Sequence, residues 1–183
     1  MAQGPKLRGK QVPERREASA EEFKAMAHPL RLRILRACLH DSLTNKEIAE
    51  ALDHDPATTL HHVRLLVRTG FLEADEVRTG ARGSREKPYR ATGKSWVLSV
   101  SDPSHTMRSE LAVIDAVREE VAAAMTADPE NLLHNTRLGL RLTAERAAEL
   151  DQRMHDLVNE YAAAPDDEDG ERYGLFTTLH RLR

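Results

Sequence analysis

The chain has 183 residues, 40 % of them hydrophobic, 31 % charged and only 4 % aromatic, with a formal net charge of −3. That apolar share supports packed cores and excludes wholesale disorder, and the slight negative charge argues against an indiscriminate polyanion binder. The single cysteine, Cys38, excludes an intramolecular disulfide framework and a multi-cysteine zinc or iron–sulfur site within one chain.

The average hides a division. Residues 1–100 hold 18 Lys and Arg against 13 Asp and Glu, whereas residues 101–183 hold 9 against 17. A basic front therefore precedes an acidic rear, which hints at a polyanion-facing first half. Residues 1–20 lack the apolar stretch of a secretory signal. The longest apolar runs, such as Leu111–Ile114, are too short to span a bilayer. A soluble, cytoplasmic protein with no membrane partner is expected.

Residues 1–18 are polar and aperiodic, with two prolines and two glycines. They read as a flexible, mildly basic arm. Order begins at Ser19-Ala-Glu-Glu22, a capping box, and Phe23 and Met26 line one face of the helix that follows. His28 precedes Pro29 and avoids the helical region, so this helix ends there. Pro29 opens the next helix, with Leu30, Ile34, Leu35 and Cys38 at helical spacing to about His40. Cys38 on that stripe reads as a small buried hydrophobe.

Thr44-Asn-Lys-Glu47 is a second capping box, and places Ile48, Ala49 and Leu52 inward. Asp53-His54-Asp55 breaks that helix. Asp55-Pro56 starts the next, an acid at the cap and proline at the first helical position. It runs to Thr69, with Thr59, Val63 and Leu66 on its core face, and Gly70 closes it. Two short helices joined by a few residues, the second longer, follow the helix-turn-helix plan.

Phe71–Arg78 and Lys87–Thr92 read as strands joined by the loop Thr79–Glu86, a hairpin with a basic tip. Arg78, Arg82, Arg85, Lys87, Arg90 and Lys94 face one acid, Glu86. The combination is a winged helix-turn-helix. After a linker over Ser101–Thr106, a long amphipathic helix is expected over Met107–Met125, with Leu111, Ile114, Val117, Val121 and Met125 near one stripe. Asp128-Pro129 starts a short turn. Thr136–Thr143 alternates at Leu138, Leu140 and Leu142 as a half-buried strand. Thr143 caps a helix to about Ala163, with Ala147, Leu150, Met154, Leu157 and Tyr161 inward. Arg172–Leu182 follows the acidic turn Pro165–Gly170 as a last strand, able to pair with 136–143. The expected fold is mainly α with small β elements: an arm at 1–18, a winged helix-turn-helix domain at 19–100 and a small α+β unit at 101–183.

Phe23–Ser99 resembles the ArsR-type winged-helix transcriptional regulators. The residues that carry the resemblance are Ala27-His-Pro-Leu-Arg-Leu-Arg-Ile-Leu35, Leu43-Thr-Asn-Lys-Glu-Ile-Ala49, Thr58-Thr-Leu-His-His-Val-Arg-Leu-Leu66 and Gly70-Phe-Leu72. It implies a homodimer that binds an imperfect palindrome in double-stranded DNA, usually as a repressor, and leaves any small-molecule effector unidentified. The 101–183 half looks like the extra α/β unit of longer relatives. Several relatives sense metals through a cysteine pair on the helix before the recognition helix. Here that helix, Lys46–Asp53, has none, and residues 102–125 offer Asp102, His105, Asp115 and Glu119 with one histidine, so no metal or cofactor is expected. His62 reads as a residue that packs at the helix junction.

Turning the Pro56–Thr69 helix away from its core face leaves Ala57, Thr58, Leu60, His61 and Arg64 outward, with Arg68 a turn further on. In a major groove, Arg64 suits guanine or phosphate, His61 and Thr58 suit base edges or phosphates, and Ala57 and Leu60 suit thymine methyls. Asn45 and Lys46 sit at a helix start that suits a phosphate. Arg82, Arg85 and Lys87 would meet flanking phosphates from the wing. The Met107–Met125 stripe could serve as a dimer seam. Two other classes compete. A protein-interaction module would use the acidic rear. An enzyme would use His54-Asp55 with His61-His62, but no nucleophile elbow, phosphate loop or HExxH is present, so no catalysis is expected.

Overall fold

The structure is a computed structural model that describes residues 16–79, 83, 85–99, 103–132, 134–165, 167 and 169–181. The arm ahead of Arg16 and the wing-tip residue Arg82 lie outside the described residues. The fold is mainly α with small β elements. Two compact units divide at Asn131, the first running through it and the second starting at Leu132.

The first unit opens with β1 (Arg16–Glu17) and α1 (Ala20–Met26). Ser19 caps α1 through the expected box, accepting from the Glu22 amide while Glu22 accepts from the Ser19 amide. Then follow α2 (Pro29–Ala37), β2 (Leu43–Thr44), α3 (Asn45–Leu52) and α4 (Pro56–Arg68). Ala25, Leu30, Ile34, Leu35, Cys38, Ile48, Val63, Leu66, Phe71, Leu72 and Ala91 form one buried cluster. These are largely the positions that helical periodicity turns inward. Burial, with Asp41 adding to it, pushes the Cys38 thiol up to about 12, so it stays a protonated core group.

The wing differs from a plain hairpin. The expected strand over Phe71–Arg78 is broken into β3 (Leu72–Ala74) and β4 (Arg78–Thr79), and the return consists of β5 (Arg85–Glu86) and β6 (Pro88–Ala91). β6 is the centre of one antiparallel sheet of order β2–β6–β3, with Leu72 opposite Ala91 and Leu43 opposite Tyr89. β4 and β5 form a separate two-stranded tip. The third strand β2 went unexpected because two residues carry no legible period.

Residues 16–18, expected as part of the arm, are paired. β1 pairs in parallel with β7 (Leu98–Ser99), Arg16 opposite Leu98, and the Ala18 amide donates to Ser99 O at 2.9 Å. Pairing with residues 82 positions away leaves no local signal.

The long helix α5 (Pro103–Ala127) starts within the expected linker. It belongs to the first unit rather than the C-terminal one. Its inward face also differs from the predicted stripe. Ala112 and Ala116 are buried, while Met107, Leu111, Ile114, Val121 and Met125 are exposed. Small residues let α5 lie close to α2, and Arg33 Nη1–Glu119 Oε2 at 2.6 Å and Arg36 Nε–Glu120 Oε2 at 3.4 Å fasten it there.

The second unit contains α6 (Ala144–Ala163), capped by Thr143, whose hydroxyl accepts from the Arg146 amide. The predicted strands at 136–143 and 172–182 are not formed: their described residues carry no strand pairing. Alternation supplies a face but no hydrogen-bonding edge, and a strand exists only where a neighbour satisfies its amides. Leu138, Leu140, Tyr173 and Leu175 are left exposed, and α6 has no buried residue. No helix among the described residues is long and apolar enough to cross a membrane.

Candidate nucleic-acid interface

The turn between α3 and α4 is built by its own side chains. α3 ends at Asp53, whose backbone is left-handed at φ 52°, a conformation that aspartate tolerates better than most residues. Asp55 Oδ1 then accepts from the Ala57 and Thr58 amides at 3.0 and 2.8 Å. That carboxylate caps α4, so it is committed to structure rather than to a hydrolytic cluster. Asp55→Ala should lower the melting temperature with far-ultraviolet dichroism unchanged.

α4 buries Thr59, His62, Val63 and Leu66. Ala57, Thr58, His61, Arg64 and Arg68 are exposed, and Leu60 is half-buried. The N-terminal half thus offers a small methyl, a hydroxyl, an imidazole and a guanidinium on one outward strip. Arg68 lies four residues after Arg64, about 6 Å further along the axis. It continues the exposed face one turn on, where it lines a cleft with Ala20, Glu21, Lys24 and Leu65 beside α1.

His62 fixes the roll of α4. Arg31, itself buried, donates Nε to Ala25 O at 2.6 Å and Nη2 to Lys24 O at 2.5 Å, capping the carbonyl end of α1. Its Nη1 lies 3.3 Å from His62 Nδ1. A guanidinium only donates, so Nδ1 accepts and the proton sits on Nε2. Burial first, and then His28 and Arg31, hold His62 neutral, down to about 4. The His28 ring is 4.7 Å away, centroid to centroid.

Of the other predicted contacts, Lys46 is exposed, with Glu50 3.6 Å from its ammonium. Asn45 is used internally: its Nδ2 donates to Pro56 O at 2.9 Å, tying the first turn of α3 to that of α4. Arg85 and Lys87 are exposed on the wing, and Lys87 Nζ lies 6.0 Å from the Tyr89 ring centre.

The six wing cations do not act alike. Arg90 Nε donates to Ser42 Oγ at 3.0 Å and pairs with Asp75 at 3.4 Å. Lys94 pairs with Glu22 at 2.6 Å and donates to Thr69 O at 2.6 Å. Arg78 pairs with Glu47 and Glu86. Sequence reasoning missed these three roles. Only the Arg78–Glu86 pair had a local signal, as facing residues of a hairpin. Among the described residues no group of three or more His, Cys, Asp or Glu is placed to hold a metal ion.

A family model described as a helix-turn-helix domain matches residues 26–74. No curated protein matches the chain. Among solved structures, a MepR variant from a multidrug-resistant S. aureus clinical isolate is 18 % identical, with 75 % of this chain and 77 % of that one covered at a TM-score of 0.30. A Lactococcus lactis ZitR variant is 16 % identical over 85 % and 86 % of the chains, TM-score 0.32. The adhesin competence repressor AdcR of Streptococcus pyogenes is 16 % identical over 84 % and 85 %, TM-score 0.27. The matched segment runs from the end of α1 to β3, so the chain carries a helix-turn-helix domain, with the β3–β6 wing directly behind it.

Proposed function

We propose that this protein is a sequence-specific DNA-binding transcriptional regulator of the ArsR type, a homodimer that represses promoters by binding an imperfect palindrome. The observation that carries the reading is the strip Ala57, Thr58, His61 and Arg64 on a helix whose cap, roll and far face are all fixed by internal contacts. A helix so held can insert its N-terminal half into a major groove without losing its seat. Lys46, Arg85 and Lys87 are exposed cations suited to the flanking phosphates, with Arg82 assigned to the same role from its place in the tip. Asn45 contributes by holding the α3–α4 turn. The exposed Met107, Leu111, Ile114, Val121 and Met125 of α5 supply an apolar seam for the second copy. Two recognition helices would then sit about 34 Å apart, one turn of duplex.

Selection from a random oligonucleotide pool with the full chain, followed by affinity measurements across salt, tests the reading. Wild-type protein should prefer one palindromic sequence over scrambled competitor. Arg64→Ala should weaken that preference by roughly 10- to 100-fold with melting temperature and dimer mass unchanged. Arg85→Ala with Lys87→Ala should weaken all sequences alike and flatten the slope of log affinity against log salt by about 1–2. No preference for any oligonucleotide at any ionic strength would overturn the proposal.

A further inference from the structure

The tip of the wing is mechanically separate from its base. β4 pairs only with β5, whereas β3 pairs only with β6. The Asp75 amide still donates to Pro88 O of the base at 3.0 Å, Glu76–Val77 then joins the base to β4 without strand pairing, and Lys87 alone joins β5 to β6. Two residue pairs of ladder do not aim a hairpin. Among the described residues of the tip, Arg78 reaches to the helices. Arg78 bonds Glu47 Oε1 on α3, and its Nε lies 3.3 Å from Glu86 Oε2 across the tip. Glu47 is already immobile, because its Oε2 accepts from the Thr44 amide at 2.8 Å in the α3 capping box. Glu47 follows Lys46 directly, on the first turn of α3.

We propose that Arg78 is a positioning residue for DNA binding, a clamp that aims the wing tip from the first turn of α3 and cancels two carboxylates beside the phosphate path. It is a wing arginine that holds the tip and does not touch DNA. The proposal rests on the DNA-binding reading above and adds the division of labour within the wing: Arg85 and Lys87 meet phosphate, Arg78 holds the tip where they can. With Arg78 gone, the tip swings free and Glu47 and Glu86 present uncompensated negative charge to the duplex.

A double-mutant cycle on the full-length protein tests this, with Arg78→Ala, Glu47→Gln and the pair measured against the selected operator across salt. Glutamine at 47 can still complete the capping box, so the helix is kept. The clamp requires that Arg78→Ala costs about 10-fold in affinity in the wild type and under 3-fold beside Glu47→Gln. It also requires faster amide exchange at residues 78–79 and 85–86 in the DNA-free Arg78→Ala protein, at an unchanged melting temperature. An equal cost in both backgrounds, with the salt slope reduced by about one phosphate's worth, makes Arg78 a direct phosphate ligand and overturns the clamp. Unchanged exchange in the free protein overturns it as well. Failure of the wild type to select any oligonucleotide is a separate result, which removes the DNA reading itself.

Discussion

Replacing Glu22 by alanine is expected to cost roughly 3 kcal/mol of folding free energy, in the range of a broken buried ion pair. Glu22 is 7 % exposed and its carboxylate is shared by three residues, Ser19, Arg16 and Lys94. Oε2 accepts from the Ser19 amide at 2.9 Å and from Arg16 Nη1 at 2.8 Å. Oε1 accepts from Arg16 Nη2 at 2.6 Å and lies 2.6 Å from Lys94 Nζ. Lys94 in turn donates to Thr69 O, at the carbonyl end of α4, and stands 5.2 Å over the Phe71 ring. The residue thus caps α1, anchors β1 and steadies the far end of α4.

Arg16 first, and Lys94 second, hold the Glu22 carboxyl far below its ordinary range. Its contribution is therefore full above about pH 4.5 and is lost progressively as the pH falls from there toward its lowered folded value. The alanine variant strands Lys94 half-buried, while Arg16 is more exposed and loses less. Glu22→Gln keeps the cap and should lose about half as much. Urea denaturation at pH 7 reads both. A loss below 1 kcal/mol for the alanine would mean that the group behaves like an ordinary surface pair. In the surviving folded fraction, β1 should detach and residues 16–18 should exchange their amides freely.

Mild acid is expected to destabilise the protein through His62. Its folded value is lowered to about 4 by burial and by the neighbouring His28, Arg31, His61 and His54. His28 is lowered as well, chiefly by burial, with Glu119 opposing. A base with a depressed folded value charges first in the unfolded chain, so stability is complete above pH 6.5 and is lost as pH falls toward 4. The loss should reach about 2 kcal/mol by pH 5 and about 3 kcal/mol below pH 4. Above pH 5 the capping and paired carboxylates Glu22, Glu47, Asp55 and Asp75, all held below their ordinary values, remain ionised. The decline between pH 6.5 and 5 therefore belongs to the histidines.

Denaturant midpoints at pH 7, 6 and 5 measure it, with His62→Asn as the non-titrating control. Asparagine can still accept from Arg31, so that variant should start lower and decline less. Parallel curves for the two proteins would show that His62 does not carry the loss. Since His62 sets the roll of α4, its protonation within the folded chain, which comes only toward pH 4, should turn the Ala57–Arg64 strip out of register, so that operator affinity of the folded protein holds to about pH 5 and falls below it.

The sequence reading was strongest where one chain segment contains its own instructions. The capping boxes at Ser19–Glu22 and Thr44–Glu47 form as spaced, because donor and acceptor lie within one turn. Asp55-Pro56 and Gly70, the latter at φ +73°, bound α4 for the same reason. The core face of Thr59, Val63 and Leu66 follows from the helical period, and with it the exposed strip opposite. On α5 the large apolar stripe stays exposed, and the buried face is Ala112 and Ala116, since close approach between helices favours small side chains. Periodicity misled in the C-terminal unit. Leu138, Leu140 and Leu142 alternate as a strand should, but their segment has no paired edge.

Sequence alone therefore determined the helices, the caps of α1, α3 and α4, and the side of α4 that is left exposed. These depend on contacts three or four residues apart, at distances that one helical turn dictates. Tertiary structure alone decided which charges remain available. Arg31 and His62, Arg33 and Glu119, Arg78 and Glu47, and Lys94 and Glu22 are separated by 31 to 86 residues. No composition or period tells a solvated arginine from one already neutralised, because that difference is set by where the folded chain returns to itself.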